Sequence, residues 1–152
     1  MPSRRSVLAF GMLCLWASAP GAARAAPDDA AYRRNWFQCA AAMALLARRD
    51  GFDPMHPTAE AKRALAQATD RLEAGVSAMM RAIPPADSAA MHVVMLPRLQ
   101  EVVAAARDML AALDVDDLAN TIAAMHWLDD ALDEANRTLN AQRRGELSVP
   151  EH

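Results

Sequence analysis

Apolar residues recur at intervals of three and four from about residue 28 to residue 145, which is the period of an amphipathic α-helix. The first series predicts a helix over residues 28–49. Its apolar positions are Tyr32, Trp36, Cys39, Met43 and Leu46. Arg48 and Arg49 suit the negative end of the helix dipole, and Gly51 is a suitable capping residue.

A second series predicts a helix over residues 58–83, with Thr58 as its N-cap. Its apolar positions are Leu65, Ala68, Leu72, Val76, Met79 and Ile83. Pro84-Pro85 ends it, because a residue before proline is disfavoured in helical conformation. Gly75 lies in its interior, where glycine is unfavourable, and therefore indicates a close approach of two helices.

Two further helices follow, each with a broad apolar stripe. The third is predicted from residue 87 or 88 to residue 113, and Pro97 must kink it or start a new segment. Its stripe is His92, Met95, Leu99, Val102, Ala106, Met109 and Leu113. The fourth starts among the aspartates at 114–117 and ends at residues 143–145. Its apolar positions are Leu118, Ile122, Met125, Leu132, Ala135 and Leu139.

Short connections between helices of similar length predict an all-α, antiparallel up-down-up-down four-helix bundle over residues 26–145, followed by a flexible tail at 146–152. Composition agrees, since 36 alanines stand against ten valines and isoleucines together, which disfavours a sheet. A hydrophobic content of 53% is too high for a disordered chain, and two cysteines are too few for a disulfide scaffold.

Residues 1–25 have the organisation of a cleaved signal peptide. Basic residues precede an apolar run over residues 7–19, which is shorter than the roughly 20 residues that span a bilayer. Ala23-Arg24-Ala25 offers the small-x-small pattern of a cleavage site, so cleavage is predicted after Ala25. We therefore expect an exported protein, periplasmic or secreted, with no stable membrane anchor after processing.

The run Ser3-Arg4-Arg5-Ser6-Val7-Leu8 resembles a bacterial twin-arginine export signal. In that pattern Ser or Thr precedes the arginine pair, and any residue, an apolar residue and Leu follow it. This sequence departs from the pattern at Val7, where Phe is usual, and in lacking a following Lys. The resemblance implies export of the folded domain, and the alternative is a paired arginine in a general secretory (Sec) signal.

The charge balance excludes two classes of partner. The full chain has 16 basic and 19 acidic residues, and residues 1–25 hold three arginines and no acid. The processed chain therefore keeps 13 basic residues and has a net charge of −6. Nucleic-acid binding needs a basic face, and an anionic membrane surface repels an acidic protein. We expect neither as a partner.

Methionine and histidine cluster around Pro84-Pro85. An antiparallel helix pair would bring the two halves of this cluster to a similar depth. Its members are Met79, Met80, Met91, His92 and Met95. Thioether and imidazole groups suit Cu(I), so these five residues are candidate copper ligands. Methionine is also a flexible core filler, and core packing is the competing interpretation.

Met43 and His126 form a candidate haem pair on the first and fourth helices. In an alternating bundle the two side chains lie at similar heights. The pair loosely resembles the axial ligands of the periplasmic cytochrome b562 family, which is also an exported four-helix bundle, and this implies b-type haem. That family's ligands lie near the chain termini, whereas Met43 and His126 lie toward the opposite bundle end. The Cys-x-x-Cys-His motif of c-type haem does not occur.

A histidine–aspartate cluster on helix 4 and the single cysteine of the processed chain each have a structural and a functional interpretation. His126, Asp130 and Asp133 share a helix face and are a candidate cation site, whereas a solvated face paired with Arg137 is the alternative. Cys39 is predicted to be buried and inert, and an intermolecular disulfide would require exposure. No Ser-His-Asp or Cys-His arrangement emerges, so a non-enzymatic protein is predicted.

Phe37 and Trp127 lie outside the predicted apolar seams, the rows of apolar positions named above for each helix. Large apolar residues on an outer surface often mark partner contacts, and these two are candidates for one dimer face of helices 1 and 4. The sequence therefore predicts an exported binding protein whose partner is another protein or a second copy. The alternative is a periplasmic carrier of copper or b-type haem.

Overall fold

The computed structural model describes residues 27–49 and 52–144, and the regular elements within these ranges are all α-helices. They are α1 (Pro27–Arg48), α2 (Ala59–Arg81), α3 (Ala89–Asp114) and α4 (Leu118–Arg143). This confirms the predicted all-α class with four helices. The predicted signal peptide at 1–25 and the tail at 146–152 lie outside the described residues. Over the described ranges, no helix has the length and apolarity needed to cross a membrane.

Local capping chemistry sets where α2 and α4 begin. The Thr58 hydroxyl accepts a hydrogen bond from the backbone N–H of Ala61 at 3.1 Å. The Asp117 carboxylate likewise accepts one from the backbone N–H of Asn120 at 3.0 Å. Each cap satisfies a donor that has no partner inside its helix.

One hydrophobic core contains residues of all four helices. The positions predicted for helix 1 are all buried in α1, which confirms that seam. The prediction that Ile83 faces the core from the second helix is wrong, because its side chain is 90% exposed. The cause is the backbone at Ala82, which leaves the helix with a ψ of 147° and carries Ile83 away from the core.

The predicted seam of helix 4 is out of phase in its first half. Leu118 is 37% exposed, and Ile122 and Met125 are half-buried. The buried positions there are Thr121, Ala124 and Leu128. Burial of Thr121 is tolerated because its hydroxyl donates to the backbone carbonyl of Asp117 at 2.7 Å.

Pro97 lies inside one continuous α3, so the expectation of a fresh segment there is wrong. Proline leaves the carbonyl of Val93, four residues earlier, without its helical partner. Both residues are on the exposed side of the helix, and Val93 is 59% exposed. Water can therefore satisfy that carbonyl, and the helix continues.

Gly75 marks a close approach of α1 and α2, as predicted. A methyl group at Gly75 would lie 2.6 Å from the Sγ atom of Cys39 and 3.5 Å from the carbonyl oxygen of Asn35. Any larger residue at position 75 would have to displace the buried Cys39 side chain.

Consecutive helices make most of the helix-to-helix contacts, and α1 meets α3 and α4 only sparsely. Polar contacts add to this packing. Lys62 of α2 donates to the carbonyl oxygen of Leu113 in α3 at 3.0 Å, and Arg107 of α3 pairs with Asp70 of α2 at 2.8 Å. α1 is therefore held chiefly by α2, and the surface between these two helices carries the candidate site.

Candidate functional site

A groove runs along the outer side of the helix pair α1 and α2. It consists of two adjoining cavities of about 490 Å³ and 370 Å³, which share Leu45 and Arg71 in their walls. We call the whole feature the α1–α2 groove. It exists because small side chains face each other across the pair, among them Ala41 on α1 and Ala64 and Ala74 on α2.

The wider part of the groove is lined largely by apolar side chains. Leu46, Phe52 and Leu65 line it together with Ala61 and Ala68. Leu45 is 48% exposed beside them, although a leucine in this position gains free energy when it is covered. An apolar ligand group placed here would bury Leu45 without any rearrangement of the core.

Three arginines, Arg48, Arg49 and Arg71, line the same part of the groove. The Arg49 guanidinium pairs with Asp129 of α4, and only 13% of the Arg49 side chain is exposed. Its Nη1 atom is buried with no hydrogen-bond acceptor among the described residues. A buried donor without an acceptor costs about 1–3 kcal/mol. A ligand carboxylate in the groove would remove that cost if the Arg49 side chain turned to expose Nη1 to it.

The backbone at Arg49 holds this arrangement in place. Arg49 has a φ of 33°, in the left-handed region that favours glycine. Its N–H donates to the carbonyl of Leu45 at 3.2 Å, and its own carbonyl accepts from the N–H of Phe52 at 2.9 Å. A left-handed non-glycine residue costs about 1–2 kcal/mol. This turn brings both Arg49 and Phe52 to the wide end of the groove.

The candidate copper ligands fall into different environments. Met79 and Met95 are fully buried, Met91 is half-buried against the core, and Met80 is 57% exposed. The Met80 sulfur lies 3.4 Å from the Nε2 atom of Gln100. Met79 and Met95 are therefore core residues, and copper binding by the five stays a prediction.

His92, the fifth copper candidate, has a partner on α1. Its Nδ1 atom lies 3.1 Å from the hydroxyl of Tyr32, which is itself buried. Burial lowers the pKa of His92 below its ordinary value of 6.5. Burial, followed by the charge of Asp87, raises the pKa of Tyr32. A neutral histidine paired with a neutral tyrosine results.

The haem candidates also have different surroundings, since Met43 is in the core and His126 is exposed. The b-type haem pair stays a prediction. Asp130 and Asp133 are exposed as well, and the described residues contain no group of three or more His, Cys, Asp or Glu side chains placed to hold a metal ion. Arg137 pairs with Glu134 at 2.9 Å, as expected for a salt-paired face.

Cys39 is 1% exposed, which confirms its predicted burial. Its thiol lies 3.8 Å from the Met79 sulfur, and burial raises its pKa to about 12. Phe37 and Trp127 are 38% and 37% exposed. Trp127 lines a depression between α3 and α4, and Phe37 is not among the residues that line it. The structure therefore gives the two aromatic residues different surroundings.

The sequence pattern does not reveal the groove. The helix dipole accounts for Arg48 and Arg49 without it, and Arg71 belongs to no predicted motif. One signal was present, because Leu45 is a large apolar residue off the predicted seam and lies close to the arginine pair in the sequence.

Comparisons of the chain with protein-family models, with curated proteins and with solved structures found no match.

Proposed function

We propose that this chain is an exported, non-enzymatic binding protein, and that its α1–α2 groove receives a segment of a protein partner. Export, through the Sec or twin-arginine route to the periplasm or beyond the cell, rests on the sequence of residues 1–25. The groove supplies the binding site, since concave, largely apolar surfaces with a few placed polar groups are the usual form of ligand sites.

We further propose that the four helices form an antiparallel up-down-up-down bundle. Two contacts support this arrangement. Lys62, near the start of α2, bonds to Leu113, near the end of α3. Arg98, in the first half of α3, pairs at 3.3 Å with Glu134, in the second half of α4.

The observation that carries the binding proposal is the Arg49 Nη1 atom. It is a buried donor without an acceptor among residues 27–49 and 52–144, and Arg49 lines a cavity with an apolar floor. A ligand that places a carboxylate near Arg49 and an apolar side chain near Leu45 and Phe52 satisfies both features. The favoured partner is therefore a protein segment in which acidic and apolar residues alternate.

Titration with anilinonaphthalene sulfonate, an anionic apolar fluorophore, tests this site. We expect the wild type to bind it with enhanced fluorescence, and Ala64→Glu to abolish binding by filling the groove with a like charge. Ala104→Glu is the matched control, because Ala104 is an exposed helical alanine that does not line the groove.

Arg49→Lys tests the donor itself. It keeps the positive charge but removes the Nη1 atom, so we expect weaker binding of the fluorophore. Arg63→Lys, an exposed arginine on α2 outside the groove, should have no effect. Equal binding by wild type, Ala64→Glu and Arg49→Lys would refute the groove as the site.

Export is tested separately on the full chain in a bacterial host. We expect the protein recovered from the periplasm to begin at Ala26, as N-terminal sequencing would show. Changing both Arg4 and Arg5 to Lys should stop export only if the twin-arginine route is used. Retention of residues 1–25 on the exported protein would contradict the proposed cleavage.

A further inference from the structure

The α3–α4 turn, residues 114–118, has a surface of the kind that the groove is built to receive. In Asp-Val-Asp at residues 114–116 an apolar residue lies between two acidic ones, and Asp117 and Leu118 follow. Val115 is 74% exposed, and Leu118 is 37% exposed. Asp116 has a φ of 53°, a left-handed conformation that gives the turn a sharp bend. The turn therefore presents an apolar tip between carboxylates.

The same surface continues onto the neighbouring helices. A shallow depression of about 470 Å³ between α3 and α4 is lined by Val115, Trp127 and alanine side chains. Asp108 and Asp117 line it as well. Exposed apolar area beside acidic groups thus extends from the turn to Trp127, which the sequence had indicated as a partner contact.

The turn and the groove are complementary in charge and in polarity. The groove offers Arg48, Arg49 and Arg71 above an apolar floor, and the turn offers aspartates around Val115. Opposite charges across an interface steer association and select the partner, while the covered apolar area stabilises it.

Both surfaces lie at the same end of the molecule. Lys62 donates to the carbonyl of Leu113 at 3.0 Å and pairs with Asp116 at 3.5 Å, so the turn lies beside the start of α2. Ala61, the neighbour of Lys62, lines the groove. Turn and groove therefore flank the start of α2. A two-fold axis near Lys62 would place the turn of each copy at the groove of the other and close the assembly.

We infer that the occupant of the groove is the α3–α4 turn of a second copy, and that the protein is a two-fold symmetric homodimer. This inference rests on the binding role proposed above for the groove. Each dimer holds two equivalent contacts, with Val115 of one copy covering Leu45 and Phe52 of the other. In each contact Asp114 of one copy pairs with Arg71 of the other, while Asp116 and Asp117 keep their bonds to Lys62 and to the start of α4.

Charge reversal on each surface tests the inference by sedimentation velocity. We expect the wild type to form a concentration-dependent dimer that weakens with added salt and that competes with the fluorophore for the groove. Arg71→Glu and Asp114→Arg should each weaken self-association by at least about tenfold, since each sets like charges against one another twice per dimer. Both positions are exposed, and circular dichroism checks that each variant is folded.

The two variants together provide the decisive measurement. An equimolar mixture of Arg71→Glu and Asp114→Arg should form a heterodimer. In one contact of this heterodimer the substituted Glu at position 71 meets the substituted Arg at position 114, so the two charges are still opposite. In the other contact the original Arg71 meets the original Asp114. A chain carrying both substitutions should dimerise by itself for the same reason. Arg81→Glu, at an exposed arginine at the other end of α2 and outside the groove, is the control and should leave dimerisation unchanged.

Three results would overturn the inference. They are a wild type that stays monomeric at every concentration, a dimer that persists in both single variants, and a mixture that fails to associate. If the wild type is monomeric, binds the anionic fluorophore and loses that binding in Ala64→Glu, the groove is a binding site but a second copy is not its occupant. Loss of fluorophore binding as well would reject both.

Discussion

Replacing Gly75 with alanine tests how tightly α1 and α2 pack. The added methyl group would lie 2.6 Å from the Cys39 sulfur, whereas heavy atoms in good contact are about 3.5–4.0 Å apart. Cys39 has little freedom to move away, because it is 1% exposed and its thiol contacts the buried Met79. The two helices must therefore separate, or the Cys39 side chain must leave its preferred rotamer.

Two effects of opposite sign determine how much Gly75→Ala changes the free energy of unfolding. Alanine is favoured over glycine in a helix by about 1 kcal/mol. Overpacking a well-filled core costs about 1–3 kcal/mol. We therefore expect Gly75→Ala to lower the free energy of unfolding by about 1 kcal/mol, the excess of a mid-range packing cost over the gain in helix propensity.

A double-mutant cycle with Cys39→Ala separates the two effects. Removing the Cys39 sulfur should by itself destabilise the protein by about 1 kcal/mol through lost packing. In that background the methyl group at position 75 has room, so Gly75→Ala should now stabilise by up to about 1 kcal/mol. The coupling energy between the two positions is then about 2 kcal/mol.

Urea denaturation followed by far-ultraviolet circular dichroism, which reports the helix content, measures each corner of the cycle. The m-value should stay constant, since the folded surface changes little. A Gly75→Ala effect of the same sign and size in the wild type and in the Cys39→Ala background would refute the packing explanation. A wild-type background in which Gly75→Ala stabilises would contradict it as well.

Three further outcomes follow from individual side chains. Cys39, with a pKa raised to about 12 by burial, should resist iodoacetamide in the native protein and react once urea unfolds it; equal rates would contradict its burial. Because the pKa of His92 is lowered on folding, the unfolded chain binds more protons below pH 6.5, so stability should fall as the pH drops below that value. His92→Gln should show a shallower fall in parallel titrations, and an identical profile would contradict the assignment. Arg107→Ala, which removes exposed ion pairs to α2, should cost at most about 1 kcal/mol, and added salt should abolish the difference from wild type.

Local sequence signals determined the helices and much of the core. The three-and-four spacing from Tyr32 to Leu46 placed every buried position of that series correctly, because one helix face needs only its own periodicity to be recognised. Thr58 marked the start of α2 through its capping hydroxyl, and Pro84-Pro85 marked its end to within a few residues, since α2 ends at Arg81. Gly75 indicated a close helix approach without showing which residue it meets.

The same signals failed where burial depends on a neighbouring helix. Ile83 is apolar and in phase, yet the chain leaves the helix before it, and its side chain is left 90% exposed. In α4, Thr121 and Ala124 are buried and Leu118 is exposed, because the position of the other helices decides which side chains face the core. Hydrophobicity alone ranks these residues in the wrong order.

The candidate site was decided by tertiary structure. The α1–α2 groove is a gap between small side chains such as Ala41 and Ala74, which are far apart in sequence and meet only when the helices pack. Arg49 became a buried donor because a left-handed backbone turn places it against Asp129 of α4. Periodicity along one chain segment contains no information on the space left between two helices, and that space is where a partner would bind.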